Sequence, residues 1–270
     1  MAKPMAAEAL YLALEREFRP EECTEVFPVI GLQYHNTDAI EKVYTATFAS
    51  HEVLDALEAK GATDCMLFTH HPVPQKKDLF KPNPPIPESI VERLKQNRIT
   101  LFSYHIPLDR NSEWSPGTNF AKHLGLHPFG EFFEQNKVRM GLLCNSGFSA
   151  LKELCAAVES MVGHPIKVYP YGGETILGGK VAVMCGGADQ PGIYPELREK
   201  GINTFITGIA NPAIGWVNKN HEAAKAAGVT ILGAGHYSTE KYAPMETVRF
   251  FESLGLAAEF IPETQMMEEM

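Results

Sequence analysis

The chain has 270 residues, of which 44% are hydrophobic and 21% are charged, a composition typical of a folded protein and not of a disordered one. Its formal net charge of −9 argues against broad binding to nucleic acid, which needs a basic surface. The cysteines contain no Cys-x-x-Cys pair, no signal-peptide core is visible and no apolar run reaches the roughly 20 residues that cross a bilayer, so we expect a cytoplasmic protein.

The first half of the chain predicts helices that alternate with short strands. Leu10, Leu14 and Phe18 form one apolar stripe, which is typical of an amphipathic helix. Proline-rich residues between 72 and 87 predict a long loop, of the kind that often forms a lid or a binding surface. The predicted helices are residues 6–18, 50–60, 88–97 and 117–124, and the predicted strands are residues 28–33, 43–48, 64–70 and 99–104.

The second half repeats this alternation. A glycine separates a predicted helix from the next predicted strand at Gly61, Gly201 and Gly228, which is the pattern of stacked βαβ units. We therefore predict an α/β fold with two related lobes, residues 1–130 and 131–270, whose boundary falls near residues 127–136. The predicted strands of this half are residues 138–144, 166–169, 180–185, 203–207 and 229–232, and the predicted helices are residues 150–162, 194–200, 218–227 and 239–254.

Histidines and carboxylates follow three of the predicted strands, at the point where each strand ends. The side chains found there are His70, His71, His105, Asp109, His236 and Glu240. His236 and Glu240 are four residues apart, so both face the same side if a helix begins early enough. Because ligands of open α/β sheets bind at the carboxyl ends of the strands, we expect these side chains to share one site, with the C-terminal segment returning the last two to it.

Each of these groups also suits a structural role when it is taken alone. The histidine pair suits an exposed turn, Asp109 suits a capping position, and Glu240 suits the first turn of a helix. Together they offer imidazole and carboxylate donors without a nearby cysteine, a set that suits zinc, iron(II) or manganese. Six donors exceed what one catalytic zinc uses, and two ions about 3.5–4 Å apart would use them. No Walker-type lysine motif, three-glycine dinucleotide fingerprint or Gly-x-Ser-x-Gly elbow offers a competing site.

Several motifs occur in the order found in one protein family. They are Gly31-Leu32-Gln33, Thr69-His70-His71-Pro72, His105 to Asp109 followed by Gly117-x-Asn119, Ile206-Thr207-Gly208 and Gly235-His236-Tyr237-Ser238-Thr239-Glu240. This order resembles the GTP cyclohydrolase type 2 homologue family, also called Ngg-interacting factor 3-like. The resemblance implies two intertwined α/β lobes, a metal site in the cleft between them and a ring-shaped homohexamer. It also implies two divalent metal ions, whose ligands would be His70, His71, Asp109, His236 and Glu240. His105 would lie beside the ions, where it would face substrate or support a ligand.

We expect a metal-dependent hydrolase that acts on a nucleotide-like or phosphoester small molecule through a water that bridges the two ions, with His105 as a catalytic residue. Cyclohydrolase action on GTP follows from the resemblance alone. The alternative is a non-enzymatic, metal-stabilised oligomeric scaffold or adaptor that binds protein partners. Ile209 stands where relatives commonly carry a glutamate, a change that would make the substrate side of the site more apolar.

Overall fold

The computed structural model describes residues 4–74 and 85–270, and most of the loop predicted between residues 72 and 87 lies outside these residues. None of the helices in the two ranges is long and apolar enough to span a bilayer. The strands are β1 (Met5–Ala6), β2 (Gly31–Tyr34), β3 (Ala39–Ile40), β4 (Lys42–Phe48), β5 (Cys65–His71), β6 (Ile99–Ser103), β7 (His127–Gln135), β8 (Val138–Asn145), β9 (Lys167–Tyr169), β10 (Lys180–Met184), β11 (Thr204–Thr207), β12 (Thr230–Gly233) and β13 (Ala257–Phe260). The helices are α1 (Ala7–Phe18), α2 (His51–Ala59), α3 (Glu88–Gln96), α4 (Ile106–Asp109), α5 (Pro116–His123), α6 (Leu151–Val162), α7 (Ile193–Glu199), α8 (Val217–Ala227), α9 (His236–Glu240) and α10 (Tyr242–Ser253).

The described residues form two compact units, and each unit is assembled from separate stretches of the chain. The first unit contains the described residues up to 110 together with residues 136–138 and 243–264, and the second contains residues 111–135, 139–242 and 265–270. These exchanged segments confirm the predicted pair of intertwined α/β lobes. The structure divides the chain at other points than the single boundary predicted at residues 130 and 131, because residues 243–264 return to the first unit, where β13 pairs with β4.

The first unit is built on a five-stranded sheet in the order β13-β4-β5-β6-β2. The first four of these strands run parallel, and β2 is antiparallel at the edge. Parallel strands are commonly buried on both faces, and every residue of β5 is buried. Leu57 of α2 and Leu94 of α3 pack over one face of the sheet. Phe18 of α1 and Phe251 of α10 contact Phe68 on the other face.

The second unit is built on a six-stranded sheet in the order β7-β8-β10-β11-β12-β9. β10, β11 and β12 run parallel, while β8 and β9 pair antiparallel with β10 and β12. Leu154 of α6 packs with Ile206 of β11 and Leu232 of β12 in its core. Because parallel strands end at the same edge of a sheet, the loops that follow β10, β11 and β12 leave the sheet together, and α9 begins in the last of them.

The stretch predicted as the lobe boundary, residues 127–136, forms β7 and pairs with β8. Asn136 and Lys137 join the two strands with φ angles of 55° and 67°, the left-handed backbone that a two-residue type I′ turn requires. Phe132 and Phe133 are adjacent and both buried, and Phe133 also has a positive φ of 58°. This break in the in-and-out alternation, which resembles a β-bulge, hides the strand from a search for two-residue periodicity.

The helix predicted over residues 239–254 is two helices in the structure, α9 and α10. Pro244 lies in the first turn of α10, where its missing N–H removes no helix hydrogen bond. α9 begins at His236, earlier than predicted, so His236 and Glu240 share one helical face.

Candidate functional site

Two neighbouring parallel strands bring three histidines together in the first unit. β5 ends at His71, and Thr69 of β5 pairs with Ser103 at the end of β6. His70, His71 and His105 therefore lie at the same edge of the sheet, and one ring nitrogen from each lies within 4.8 Å of the others. His70 and His71 are buried, and the His105 side chain is 16% exposed. This histidine cluster is a group of side chains that can hold a metal ion.

Asp109 adds a carboxylate to the histidine cluster. α4 makes a single turn after His105, and the Asp109 N–H donates to the His105 carbonyl at 3.0 Å. Asp109 Oδ1 lies 3.3 Å from His70 Nε2, and Asp109 Oδ2 lies 3.5 Å from His105 Nε2. The Asp109 side chain is only 14% exposed, and a largely buried carboxylate beside two imidazole rings is suited to share a metal ion with them.

Oxygen acceptors hold the other ring nitrogen of two of these histidines. His70 Nδ1 lies 3.1 Å from the Tyr104 carbonyl oxygen, and His105 Nδ1 lies 2.9 Å from Glu25 Oε1. Because a carbonyl and a carboxylate only accept hydrogen bonds, we assign the proton to Nδ1, which leaves the Nε2 lone pair for a ligand. Metal-binding histidines in proteins typically have this arrangement, so the donor set fits a divalent metal ion.

Glu25 is a residue of this site that the sequence interpretation missed. Its Oε1 contacts the His105 ring and its Oε2 accepts the Ile106 N–H at 3.0 Å, so one carboxylate holds both the ring and the backbone where α4 begins. Burial on its own would raise the pKa of Glu25, but the hydrogen bond and the charge of His105 lower it overall. Glu25 is 80 residues from His105 in the sequence and lies in no regular element, so no local spacing points to it.

Two phenylalanines orient the His71 ring. Phe48 at the end of β4 stacks on this ring with the centroids 4.7 Å apart and the planes 10° from parallel. Phe27 meets the His71 ring edge-on at 6.1 Å. Because aromatic contacts of this kind restrict ring rotation, His71 is oriented before any ligand binds.

The second unit presents His236 and Glu240 one helical turn apart on α9. His236 Nε2 lies 3.0 Å from Glu240 Oε2, and Glu240 is buried. Gly186, just after β10, has a φ of 67°, and a Cβ placed on it would overlap Glu240 Oε1. The Gly186 N–H also donates to Thr239 Oγ1 at 3.0 Å. A side chain at position 186 would therefore displace the Glu240 carboxylate from this position.

Glu269 lies beside the other nitrogen of the His236 ring, and it is a second residue that the sequence interpretation missed. Glu269 Oε2 accepts the His236 N–H at 3.2 Å, and Glu269 Oε1 lies 3.6 Å from His236 Nδ1. Burial on its own would lower the pKa of His236, but the charges of Glu240 and Glu269 outweigh it and raise the pKa to about 10. The two carboxylates thus favour positive charge at this ring, which a proton or a metal ion can supply.

Ile209 is buried, with only 8% of its surface exposed. Its N–H donates to the Gly186 carbonyl at 2.9 Å, and a Cβ placed on Gly187 would lie 3.1 Å from Ile209 Cδ1. The Ile209 side chain therefore packs against Gly187. That position 209 faces a substrate stays a prediction.

The chain is similar to known proteins over most of its length. The family model described as Duf34/NIF3 (NGG1p interacting factor 3) matches residues 5–265. A protein of Archaeoglobus fulgidus described as GTP cyclohydrolase 1 type 2 homolog is 31% identical over 246 residues, which cover 86% of this chain and 87% of that protein.

Two solved structures have the same fold. The structural-genomics protein ybgI, described as of unknown function, superposes with a TM-score of 0.79 at 22% identity and covers 96% of this chain and 99% of its own. TTHA1606 from Thermus thermophilus superposes with a TM-score of 0.75 at 19% identity, again with 96% and 99% of the two chains covered. The order of motifs, the match to the family model and the sequence identity agree, and the chain belongs to the Duf34/NIF3 (NGG1p interacting factor 3) family.

Proposed function

We propose that this protein binds two divalent metal ions and is a metal-dependent hydrolase that acts on a nucleotide-like or phosphoester small molecule. The observation that carries the proposal is the histidine cluster with Asp109, in which His70 and His105 each direct Nε2 toward the carboxylate while an oxygen acceptor holds Nδ1. Side chains arranged in this way, without a cysteine among them, suit zinc, iron(II) or manganese.

The proposed ligands belong to both units. His70, His71 and Asp109 belong to the first unit, and His236 and Glu240 belong to the second. That both sets hold the same pair of ions is implied by the family resemblance and stays a prediction. Bound divalent ions would supply Lewis acidity and lower the pKa of coordinated water toward neutrality.

His105 is the proposed proton-transfer residue. Its Nδ1 is held by Glu25, so Nε2 is the nitrogen that can take a proton from the reacting group. The Glu25 carboxylate would then stabilise the imidazolium that forms, as the carboxylate of a catalytic triad does for its histidine. His105→Gln is therefore expected to lose turnover while it retains more metal than Asp109→Ala.

The test is metal-dependent turnover by the full chain. The protein is stripped with a chelator, reloaded separately with zinc, iron(II) or manganese, and assayed against nucleoside triphosphates, including GTP, and simple phosphoesters. Asp109→Asn should lower metal content and reduce turnover by about 100-fold or more. Asp38→Asn, at a fully exposed carboxylate of the same unit, is the matched control and should change neither. Turnover that survives stripping, or that survives in Asp109→Asn, contradicts the proposal.

The second candidate is a non-enzymatic, metal-stabilised scaffold or adaptor. The family description, which names a factor that interacts with NGG1p, supports this candidate. Both candidates include assembly into a homohexamer, which the family resemblance supports and which light scattering after size-exclusion chromatography would test. Metal binding and assembly without turnover on any member of the substrate panel would favour the scaffold.

A further inference from the structure

We propose that Glu269 positions His236 for metal binding by holding the Nδ1–H of its ring, so that Nε2 is the nitrogen presented beside Glu240. The proposal rests on the proposed function in one respect, namely that His236 is a metal ligand. Glu269 would then be a positioning residue and not itself a ligand.

The two carboxylates lie at opposite nitrogens of the His236 ring. Glu240 Oε2 is 3.0 Å from Nε2, and Glu269 Oε1 is 3.6 Å from Nδ1. The second distance is within about 0.6 Å of an ordinary N–H···O hydrogen bond, so a small movement of the ring would close it. A carboxylate beside Nδ1 favours a proton on that nitrogen, so Nε2, beside Glu240, is the nitrogen that would exchange its proton for a metal ion.

The Glu269 carboxylate is buried and its position is built into the fold. The side chain is only 2% exposed, and burial of a carboxylate is costly unless its charge is compensated. Its backbone is anchored independently, because the Glu269 carbonyl accepts the N–H groups of Ala210 at 2.8 Å and Asn211 at 3.0 Å. The Asn211 side chain also donates to the Glu268 carbonyl at 2.7 Å. Substitution of the Glu269 side chain therefore leaves these backbone anchors in place.

The first unit contains a similar arrangement around a different histidine, with a shorter distance between carboxylate and ring. Glu25 directs one oxygen to the His105 ring at Nδ1 and the other to the N–H of Ile106. Glu269 directs one oxygen toward the His236 ring at Nδ1 and the other to the N–H of His236 itself. In both units a distant glutamate thus lies beside Nδ1 of a histidine, at 2.9 Å for Glu25 and 3.6 Å for Glu269, and accepts the N–H at the start of a short helix. The repetition favours a role in orienting the ring over a role in the helix alone.

The competing explanation is that Glu269 only caps α9. A cap requires one oxygen that accepts the His236 N–H, and the amide of Glu269→Gln retains such an oxygen. The positioning role requires the negative charge beside Nδ1, which Glu269→Gln lacks and Glu269→Ala removes with the whole side chain. The two substitutions therefore separate the two roles.

The first measurement is the zinc affinity of the full chain, by competition with a chromophoric chelator. Loss of an outer carboxylate commonly weakens metal binding about 10–100-fold, so we expect a loss of this size in Glu269→Ala and a smaller but clear loss in Glu269→Gln. Glu268→Gln changes an exposed carboxylate one residue earlier and should bind zinc like the wild type. Unchanged zinc affinity in Glu269→Ala overturns the proposal while the proposed function stands, whereas a wild-type chain that binds none of zinc, iron(II) and manganese overturns both.

The second measurement is the long-range ¹H–¹⁵N NMR spectrum of His236 in the metal-free chain. We expect a downfield, exchange-protected Nδ1–H signal in the wild type, a smaller downfield shift in Glu269→Gln and loss of protection in Glu269→Ala. An identical Nδ1–H signal in all three proteins overturns the proposal independently of metal. If Glu269→Ala does not fold, as judged by its melting transition, Glu269→Gln alone decides: wild-type affinity and a wild-type Nδ1–H signal would show that Glu269 is only a cap.

Discussion

Gly186 lets the Glu240 carboxylate lie close to the chain after β10, and Gly186→Ala tests how much this approach matters. The added Cβ would overlap Glu240 Oε1 and would sit on a backbone with a φ of 67°. The left-handed backbone alone costs a residue with a side chain about 1–2 kcal/mol. We expect that loss of stability in denaturant unfolding, and in addition a weakened zinc affinity because the carboxylate is displaced.

Gly201→Ala is the matched control for this substitution. Gly201 has a φ of 73°, and a Cβ placed on it would have no heavy atom within 4 Å. The Gly201→Ala protein should therefore lose about the same 1–2 kcal/mol in the free energy of unfolding and keep its zinc affinity. Equal zinc affinities in the two variants would show that Gly186 is needed only for its backbone conformation.

Ile209→Glu tests whether the side chain at position 209 faces solvent and substrate or packs in the interior. Ile209 is 8% exposed and lies against Gly187, so a glutamate would carry its charge into an apolar contact. We expect a loss of roughly 3 kcal/mol in the free energy of unfolding, as for an unpaired buried charge. Ile209→Leu keeps the volume and should stay within about 1.5 kcal/mol of the wild type. A stable Ile209→Glu protein with new hydrolytic activity would contradict this and place position 209 at the substrate.

At the scale of elements, local patterns predicted most of the fold. The sequence predicts a helix over residues 50–60, and in the structure the Ser50 hydroxyl caps α2 by accepting the Val53 N–H at 3.2 Å. β7 was not predicted, because Phe132 and Phe133 break the alternation of buried and exposed residues. In addition, the turn residues Asn136 and Lys137 adopt left-handed backbone that composition does not reveal.

The residues of the candidate site also fall into those that local patterns predict and those that they do not. That His70, His71 and His105 lie together was predictable, because they follow apolar runs and because ligands bind at the ends of parallel strands. Glu25 and Glu269 were not predictable, since they lie in segments without periodicity and reach partners 80 and 33 residues away only in the folded chain.

The turn between β7 and β8 supplies a test at this scale. Lys137 has a φ of 67°, which glycine adopts without the steric cost of a Cβ. Lys137→Gly should therefore raise the free energy of unfolding by about 0.5–1 kcal/mol, measured from the denaturant midpoint. Lys137→Ala retains the Cβ and should not gain this stability. A midpoint for Lys137→Gly at or below that of Lys137→Ala would contradict the type I′ assignment.

At the scale of the whole molecule, metal removal should lower the melting temperature of the protein. A ligand that binds only the folded state at a hundredfold excess over its Kd adds about 2.7 kcal/mol of stability. Stripping with a chelator should remove this contribution, and reloading should restore it. An unmoved transition would show that metal binding is not coupled to folding.

The size of this effect should depend on pH through His236. Because folding raises the pKa of His236 from 6.5 to about 10, its protonated ring stabilises the metal-free fold fully below pH 6.5, and this contribution is lost as pH rises through about 10. A metal ion must displace that proton, so metal affinity rises over the same range. The difference in melting temperature between loaded and stripped protein should therefore widen from pH 6.5 toward about pH 9. A difference that stays constant or narrows would contradict the assignment of His236 as a ligand.

The return of β13 to the first sheet also affects how the protein can fold as it is made. Lys42 of β4 and Glu259 of β13 form an ion pair at 2.6 Å although they are 217 residues apart in the sequence. A ribosome releases β4 long before β13, so a nascent chain must hold β4 with an unpaired edge while the second unit is being translated. A chain that stalls before Ala257 would keep that edge open to pairing with other chains, so translational pauses in the second unit should favour aggregation more than pauses after β13 has emerged.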